Sequence, residues 1–181
     1  MSKNCLILID NGTEDIELVV TSDILRRAEY SVDIVSPRNV VTLSRSVKII
    51  PDKSLEDVKN IIYDAVILPG GLKGVENLGN NLDIIQIIEK HYESNKLIAA
   101  ICAAPTILLK TKILNENFRI TSHPSTKNQF KNVNYLEDRV IIYNNLITSR
   151  GAGTTFEFAF SILEYFNDLD KVNKIKQDIV Y

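Results

Sequence analysis

The sequence predicts an α/β domain: a mostly parallel β-sheet covered by helices on both faces. Three observations predict it. Short continuous apolar runs recur along the chain, as buried parallel strands require. Amphipathic segments of helical length stand between them. The two kinds alternate from end to end, the order that βαβ connections impose. The 181 residues, 45% hydrophobic and 24% charged, suffice for one domain, 1–181, with a sizeable core. No internal repeat, linker or low-complexity tract divides them.

Each element has a local reason. Cys5–Ile9 (CLILI) is a continuous apolar run closed by the turn signal Asp10-Asn11-Gly12, hence a buried strand. Thr13 is the expected N-cap of a helix from Glu14 to about Glu29, with acids in its first turn and an apolar face of Ile16, Val19, Val20, Ile24 and Leu25. Ser31–Ser36 (SVDIVS) alternates and is the second strand, broken by Pro37-Arg38-Asn39. Val40–Leu43 and Ser46–Ile50 form a small hairpin before Pro51. Asp64–Leu68 (DAVIL) is a buried strand ending at Pro69-Gly70-Gly71. Leu82–Glu93 is an amphipathic helix, Leu97–Ile101 a strand, and Pro105–Lys112 a helix. Arg119–Ser122, Val140–Tyr143 and Leu146–Thr148 read as strands, and Phe156–Phe166 and Lys171–Ile179 as helices.

The chain carries two cysteines, Cys5 and Cys102, and Cys5 falls in the first strand as core. The start runs from Met1-Ser2-Lys3-Asn4 into that strand with no signal-peptide apolar region, and no run is apolar enough to span a bilayer. A cytoplasmic protein with reduced thiols is expected. The net charge of −2 and the scatter of Lys3, Arg26, Arg27, Lys110 and Lys112 argue against nucleic acid or an anionic membrane as partner. No His/Cys/Asp cluster has metal-ligand spacing, so no metal is expected.

The sharpest chemical feature is Leu97–Thr106 (LIAAICAAPT), where a buried strand ends at Cys102 and a helix follows within about three residues. Ala100, Ala103, Ala104 and Pro105 permit so tight a reversal, as in a nucleophile elbow. The apex side chain then stands at the carboxyl end of the sheet, where open α/β sheets bind ligands. A helix N-terminus beside it lowers a thiol's pKa. Taken alone, the stretch equally fits a buried structural cysteine.

Three further segments belong to the same sheet end. Gly70 and Gly71, closing ILPGG, let backbone N–H groups approach a substrate. With the N–H of Ala103, that of Gly71 can form an oxyanion hole; the fragment alone also fits a plain turn. It lacks the third glycine of a dinucleotide loop and the G-K-[ST] of a P-loop. Glu14, Asp15 and Glu17 crowd the start of the first helix, and one of them can meet Cys102 across the crevice. An ionised carboxylate there raises the thiol's pKa, so a helpful Glu must be protonated, which crowding and burial favour. Asp15 reads as a surface acid favoured by the helix dipole. His123 follows a strand end and can relay protons. His91, between Lys90 and Glu93, reads as solvated. Arg150–Thr155 (RGAGTT) opens a helix, either as a plain cap or as a ligand or dimer contact.

Together these residues resemble the ThiJ/PfpI superfamily, in particular its Parkinson-linked DJ-one branch. The resemblance runs through GTEDIE, LRRAE, LSRSVKIIPD, DAVILPGG, LIAAICAAPT, TSHP and TSRGAGTTFEFA, nearly the whole chain. It implies a flavodoxin-like three-layer sandwich and a homodimer. Matched residue by residue, it implies Cys102 as an oxidisable nucleophile, Glu17 as its protonated partner, and Gly71 and Ala103 as oxyanion-binding backbone. Gly70 and His123 complete the pocket, and Arg27, Arg45 and Ala152 border a pocket spanning the dimer. There are departures. Ala103 stands where the protease-like branch has His, which weakens a peptidase reading. Leu43 and Ile50 replace peripheral cysteines, and Ala152 replaces a usual proline.

The resemblance implies a cofactor-free enzyme acting on 2-oxoaldehydes such as methylglyoxal (a glutathione-independent glyoxalase) or on their early adducts with proteins or nucleotides (a deglycase). A redox-sensing chaperone or stress regulator using the same cysteine is the alternative. A glutaminase or peptidase is disfavoured, because the two histidines, His91 and His123, begin no H-x-E pair.

Overall fold

The structure is a computed structural model that describes residues 2–181; Met1, the first residue of the expected 1–181 domain, lies outside them. The chain forms β1 (Asn4–Leu8), α1 (Asp15–Arg27), β2 (Ser31–Ser36), β3 (Val41–Thr42), β4 (Lys48–Ile49), β5 (Lys53–Ser54), α2 (Leu55–Val58) and β6 (Ala65–Leu68). It continues through α3 (Leu72–Gly79), α4 (Leu82–Glu93), β7 (Leu97–Ile101), a 3₁₀ helix (Ala104–Lys110), β8 (Arg119–Ile120), β9 (Asn134–Tyr135), β10 (Val140–Tyr143), β11 (Leu146–Ser149), α5 (Thr155–Tyr165) and α6 (Leu169–Asp178). The main sheet has the order β10-β11-β7-β6-β1-β2-β5. All its pairs are parallel except β10–β11 at one edge.

Strand alternation sorts the core into two layers. Cys5 and Ile7 of β1 point to one face, where Leu18, Ile24 and Leu25 of α1, Phe158 and Ile162 of α5 and Val172 of α6 cover them. Leu6 and Leu8 point to the other, against Leu55 and Val58 of α2, Val75 of α3, Ile84 and Ile88 of α4, and Ile107 of the 3₁₀ helix. This is the expected three-layer α/β sandwich, and β3–β4 is the expected small hairpin. Its register brings the carboxyl ends of β1, β6 and β7 together, since Ile7 pairs with Ile67 and Ile67 with Ala99.

Four local expectations need correction. The N-cap of α1 is Glu14, not Thr13. The Thr13 hydroxyl donates to Asp10 O and accepts from Asp10 N–H, so it closes the preceding turn instead. On α1, Ile16 and Val19 are half exposed, while Glu17, Leu18 and Thr21 are buried. The helix is rotated so that a carboxylate faces inward, which a count of apolar residues does not anticipate. The helix expected over Pro105–Lys112 is a 3₁₀ helix over Ala104–Lys110. His91 is buried, not solvated. Its Nε2 accepts the Tyr63 N–H at 3.0 Å and its Nδ1 lies 2.6 Å from Ile87 O, so the ring satisfies buried backbone groups.

Candidate active site

The site is built where β1, β6 and β7 end. Cys102 follows β7 with φ 65°, a left-handed conformation that costs a non-glycine residue energy. Hydrogen bonds on both sides hold it there. Its N–H donates to Ser149 O at 2.9 Å, and its carbonyl accepts from His123 N–H at 2.7 Å. The turn exposes the thiol in part, whereas Cys5 is fully buried. This is the expected elbow.

Glu17 meets it from α1. The side chain is fully buried, and Oε2 accepts the Gly70 N–H at 2.6 Å. Oε1 is buried without a hydrogen-bond partner, and the Cys102 thiol is close enough to the carboxyl to influence its titration. Burial pushes the Glu17 carboxyl up to about 7, and the nearby Glu14 charge adds to this. The Gly70 N–H and the Cys102 contact oppose the rise. At Cys102, burial and the charge of an ionised Glu17 push the thiol up to about 12, while the N–H groups of Ala103 and Gly71 pull it down. The expected lowering by a helix N-terminus therefore does not dominate. The charge part of the push from Glu17 requires its ionised form and is absent when Glu17 is protonated.

The glycines have separate roles. Gly71 has φ 89°, and a Cβ there would lie 2.2 Å from Gly12 O, so the turn onto α3 admits only glycine. Gly70 is crowded: a Cβ would lie 2.6 Å from Cys102 Cβ and 2.7 Å from Glu17 Oε2. The Gly70 N–H donates to Glu17 and is not free for another acceptor. The backbone N–H groups that lower the Cys102 thiol's pKa are those of Ala103 and Gly71.

A cavity of about 350 Å³ opens onto Cys102, lined by Glu14, Glu17, Arg45, Gly71, His123 and Ala152 among others. Arg27 is not part of its lining: it sits in the last turn of α1 and pairs with Asp23 at 2.7 Å. His123 Nδ1 caps the next turn, accepting the Ser125 N–H at 3.2 Å. Its Nδ1 also lies 2.7 Å from the Ser125 hydroxyl, a contact in which either atom can donate. Asp15 is more than a surface acid, since its Oδ2 accepts the Arg45 N–H at 2.8 Å and fixes the hairpin to α1. Three lining residues escape the sequence reading: Ser44, Leu72 and Ser125. Ser44 donates to Glu14 Oε2 at 2.7 Å, and its place between Leu43 and Arg45 in a hairpin turn was the available signal.

The fold and site define a class: a parallel α/β sandwich with a partly exposed cysteine on a strained strand-to-helix elbow at the carboxyl end of its sheet and a buried acid beside it. The chain belongs to the DJ-1/PfpI family, whose profile matches residues 3–165. The crystal structure of Drosophila melanogaster DJ-1beta superimposes with a TM-score of 0.95 at 38% identity, covering 99% of this chain and 98% of that one. The Caenorhabditis elegans protein named glutathione-independent glyoxalase DJR-1.2 is 38% identical over 96% of this chain and 94% of its own length. A structure described as Toxoplasma gondii DJ-1, oxidized, matches with a TM-score of 0.93 at 31% identity, covering 99% of both chains. Among the described residues, no helix is long and apolar enough to cross a membrane.

Proposed function

We propose that this protein is a cysteine-dependent enzyme that converts small 2-oxoaldehydes such as methylglyoxal to 2-hydroxy acids without glutathione, metal or organic cofactor. Removal of the same aldehydes from early protein or nucleotide adducts, a deglycase reaction, uses the same first step. The observation that carries the reading is the pairing of Cys102, at φ 65°, with the fully buried Glu17 carboxyl. The name of the C. elegans relative supports the substrate class.

The chemistry follows from which group holds the proton. Glu17 takes the Cys102 proton, and the thiolate attacks the aldehyde carbon. The carbonyl π pair moves to oxygen, which the N–H groups of Gly71 and Ala103 hold until Glu17 returns the proton, leaving a hemithioacetal. Glu17 then removes the proton from the former aldehyde carbon, and the electrons form an enediol. Protonation at the neighbouring carbon gives a hydroxyacyl thioester, and water releases the hydroxy acid and the thiol. Aldehyde plus water becomes hydroxy acid, with no external oxidant. His123 serves as a donor to the substrate's second oxygen, and Arg45 borders the entrance.

The test is methylglyoxal loss and lactate formation by wild type and Cys102→Ala, without glutathione and with chelator present. Equal turnover by the two proteins would remove Cys102 from the reaction. A cytoplasmic homodimer belongs to the same reading. Half-exposed Ile16 and Val19 on α1 support a second copy, and sedimentation measures it.

One observation favours a second reading, a redox-sensing chaperone or stress regulator: a solved relative is described as oxidized. A Cys102 sulfinate would find donors in protonated Glu17, Gly71 and Ala103. Peroxide treatment that creates aggregation-suppressing activity, in a protein with negligible turnover, favours that reading.

A further inference from the structure

Two buried glycines flank Cys102, and only one is required by its surroundings. At Gly70 a Cβ would collide with Cys102 Cβ and Glu17 Oε2, so crowding demands glycine. Gly151 is different. Its backbone is extended, with φ 160° and ψ −172°, open to any residue. A Cβ built there meets two heavy atoms within 4 Å, His123 Cδ2 at 3.5 Å and Cys102 Sγ at 3.8 Å, both ordinary van der Waals distances. Gly151 is buried, and this methyl-sized space lies between the Cys102 sulfur and the imidazole edge of His123, two residues that line the cavity. Neither backbone strain nor packing explains the missing side chain.

We infer that Gly151 sets substrate size at this site: the space beside Cys102 receives the terminal group of the 2-oxo compound. The proposal rests on the 2-oxoaldehyde reading and adds a specificity-determining residue to it. In the hemithioacetal, sulfur bonds the former aldehyde carbon, which bonds the keto carbon, which bonds the terminal group. That group stands three bonds from sulfur, at roughly the separation of non-bonded contact. The point 3.8 Å from Sγ at Gly151 suits it. Glyoxal places only hydrogen there, and methylglyoxal places a methyl. Alanine at 151 would fill the space that the methyl needs and leave glyoxal little affected.

The experiment is Gly151→Ala with two paired readouts. The first is the ratio of kcat/KM for methylglyoxal to that for glyoxal. The second is the ratio of Cys102 alkylation rates by chloroacetone and chloroacetaldehyde, followed by intact mass. In each alkylation the S–C bond forms as chloride leaves, and the chloroacetone adduct carries its methyl three bonds from sulfur. Both ratios are expected to fall about tenfold or more relative to wild type, the usual discrimination for one methyl in a fitted pocket. Unchanged ratios overturn the inference. So does an alanine variant that fails to fold, because it would show that the space is not free. The alkylation ratio needs only an accessible thiol. A wild type that turns over neither aldehyde therefore counts against the enzymatic reading, while the alkylation pair still decides the role of Gly151.

Discussion

Replacing Glu17 by Gln should change how stability depends on pH, and the structure sets the size. Burial raises the Glu17 carboxyl from its ordinary 4.5 to about 7. The folded state therefore holds this proton more tightly than the unfolded chain. Stability from this group is fully present below pH 4.5 and is lost as pH rises through 7. The rise corresponds to a loss on the order of 3 kcal/mol across that window. Gln keeps an amide oxygen to accept the Gly70 N–H but carries no titrating proton, so the Glu17→Gln variant should not lose it. The assay is urea denaturation of both proteins at pH 5 and pH 8, read as the difference between their stability changes. The Cys102→Ala background removes the competing thiol and should retain the effect. Parallel stability–pH curves for wild type and Glu17→Gln would refute the claim that the folded protein holds a proton at this position near neutrality.

The remaining predictions follow from single contacts. His91 is buried and its pKa is lowered by that burial, so stability should be lost as pH falls below the usual histidine range, because protonation costs Tyr63 N–H its acceptor. His91→Gln should flatten this acid slope in denaturation curves between pH 7.5 and 5, and an unchanged slope would assign it to other groups. Gly71→Ala should lower stability by at least about 2 kcal/mol, from positive-φ strain and the clash with Gly12 O. A thermal midpoint close to wild type would contradict it. Phe158, fully buried between α5 and the sheet, should cost about 3–5 kcal/mol on truncation to Ala. A loss below about 1 kcal/mol in urea denaturation would mean that the layer is not packed as described.

What could be read from the sequence depended on whether local pattern and tertiary role agreed. Ser31–Ser36, Leu82–Glu93, Leu97–Ile101 and Val140–Tyr143 agree residue for residue with the structure, because each is a periodic or continuous apolar run set between turn residues. The elbow was legible for a related reason: the alanines around Cys102 have no purpose in a strand other than allowing a tight reversal. Other features depend on contacts far apart in sequence. Leu72–Gly79 is helical despite two glycines, and Gly74 is needed because a Cβ there would lie 2.7 Å from Thr13 N. The two-residue strands Lys53–Ser54 and Asn134–Tyr135 exist only through pairing with distant partners. Glu17 took an inward place on α1 that the pattern reserved for Ile16 and Val19. The residue that broke the amphipathic rule is the one facing the thiol, as happens where function competes with packing. Ser44 and Ser125 carry no motif of their own, and their roles follow from the acid and the histidine beside them.

The central claim is that one thiol, Cys102, carries the reaction with Glu17 as its proton partner. Lactate formation from methylglyoxal, with chelator present and glutathione absent, tests it most directly. Wild type should produce lactate, and folded Cys102→Ala should produce none above the uncatalysed rate. Lactate formed at the wild-type rate by Cys102→Ala would contradict the account.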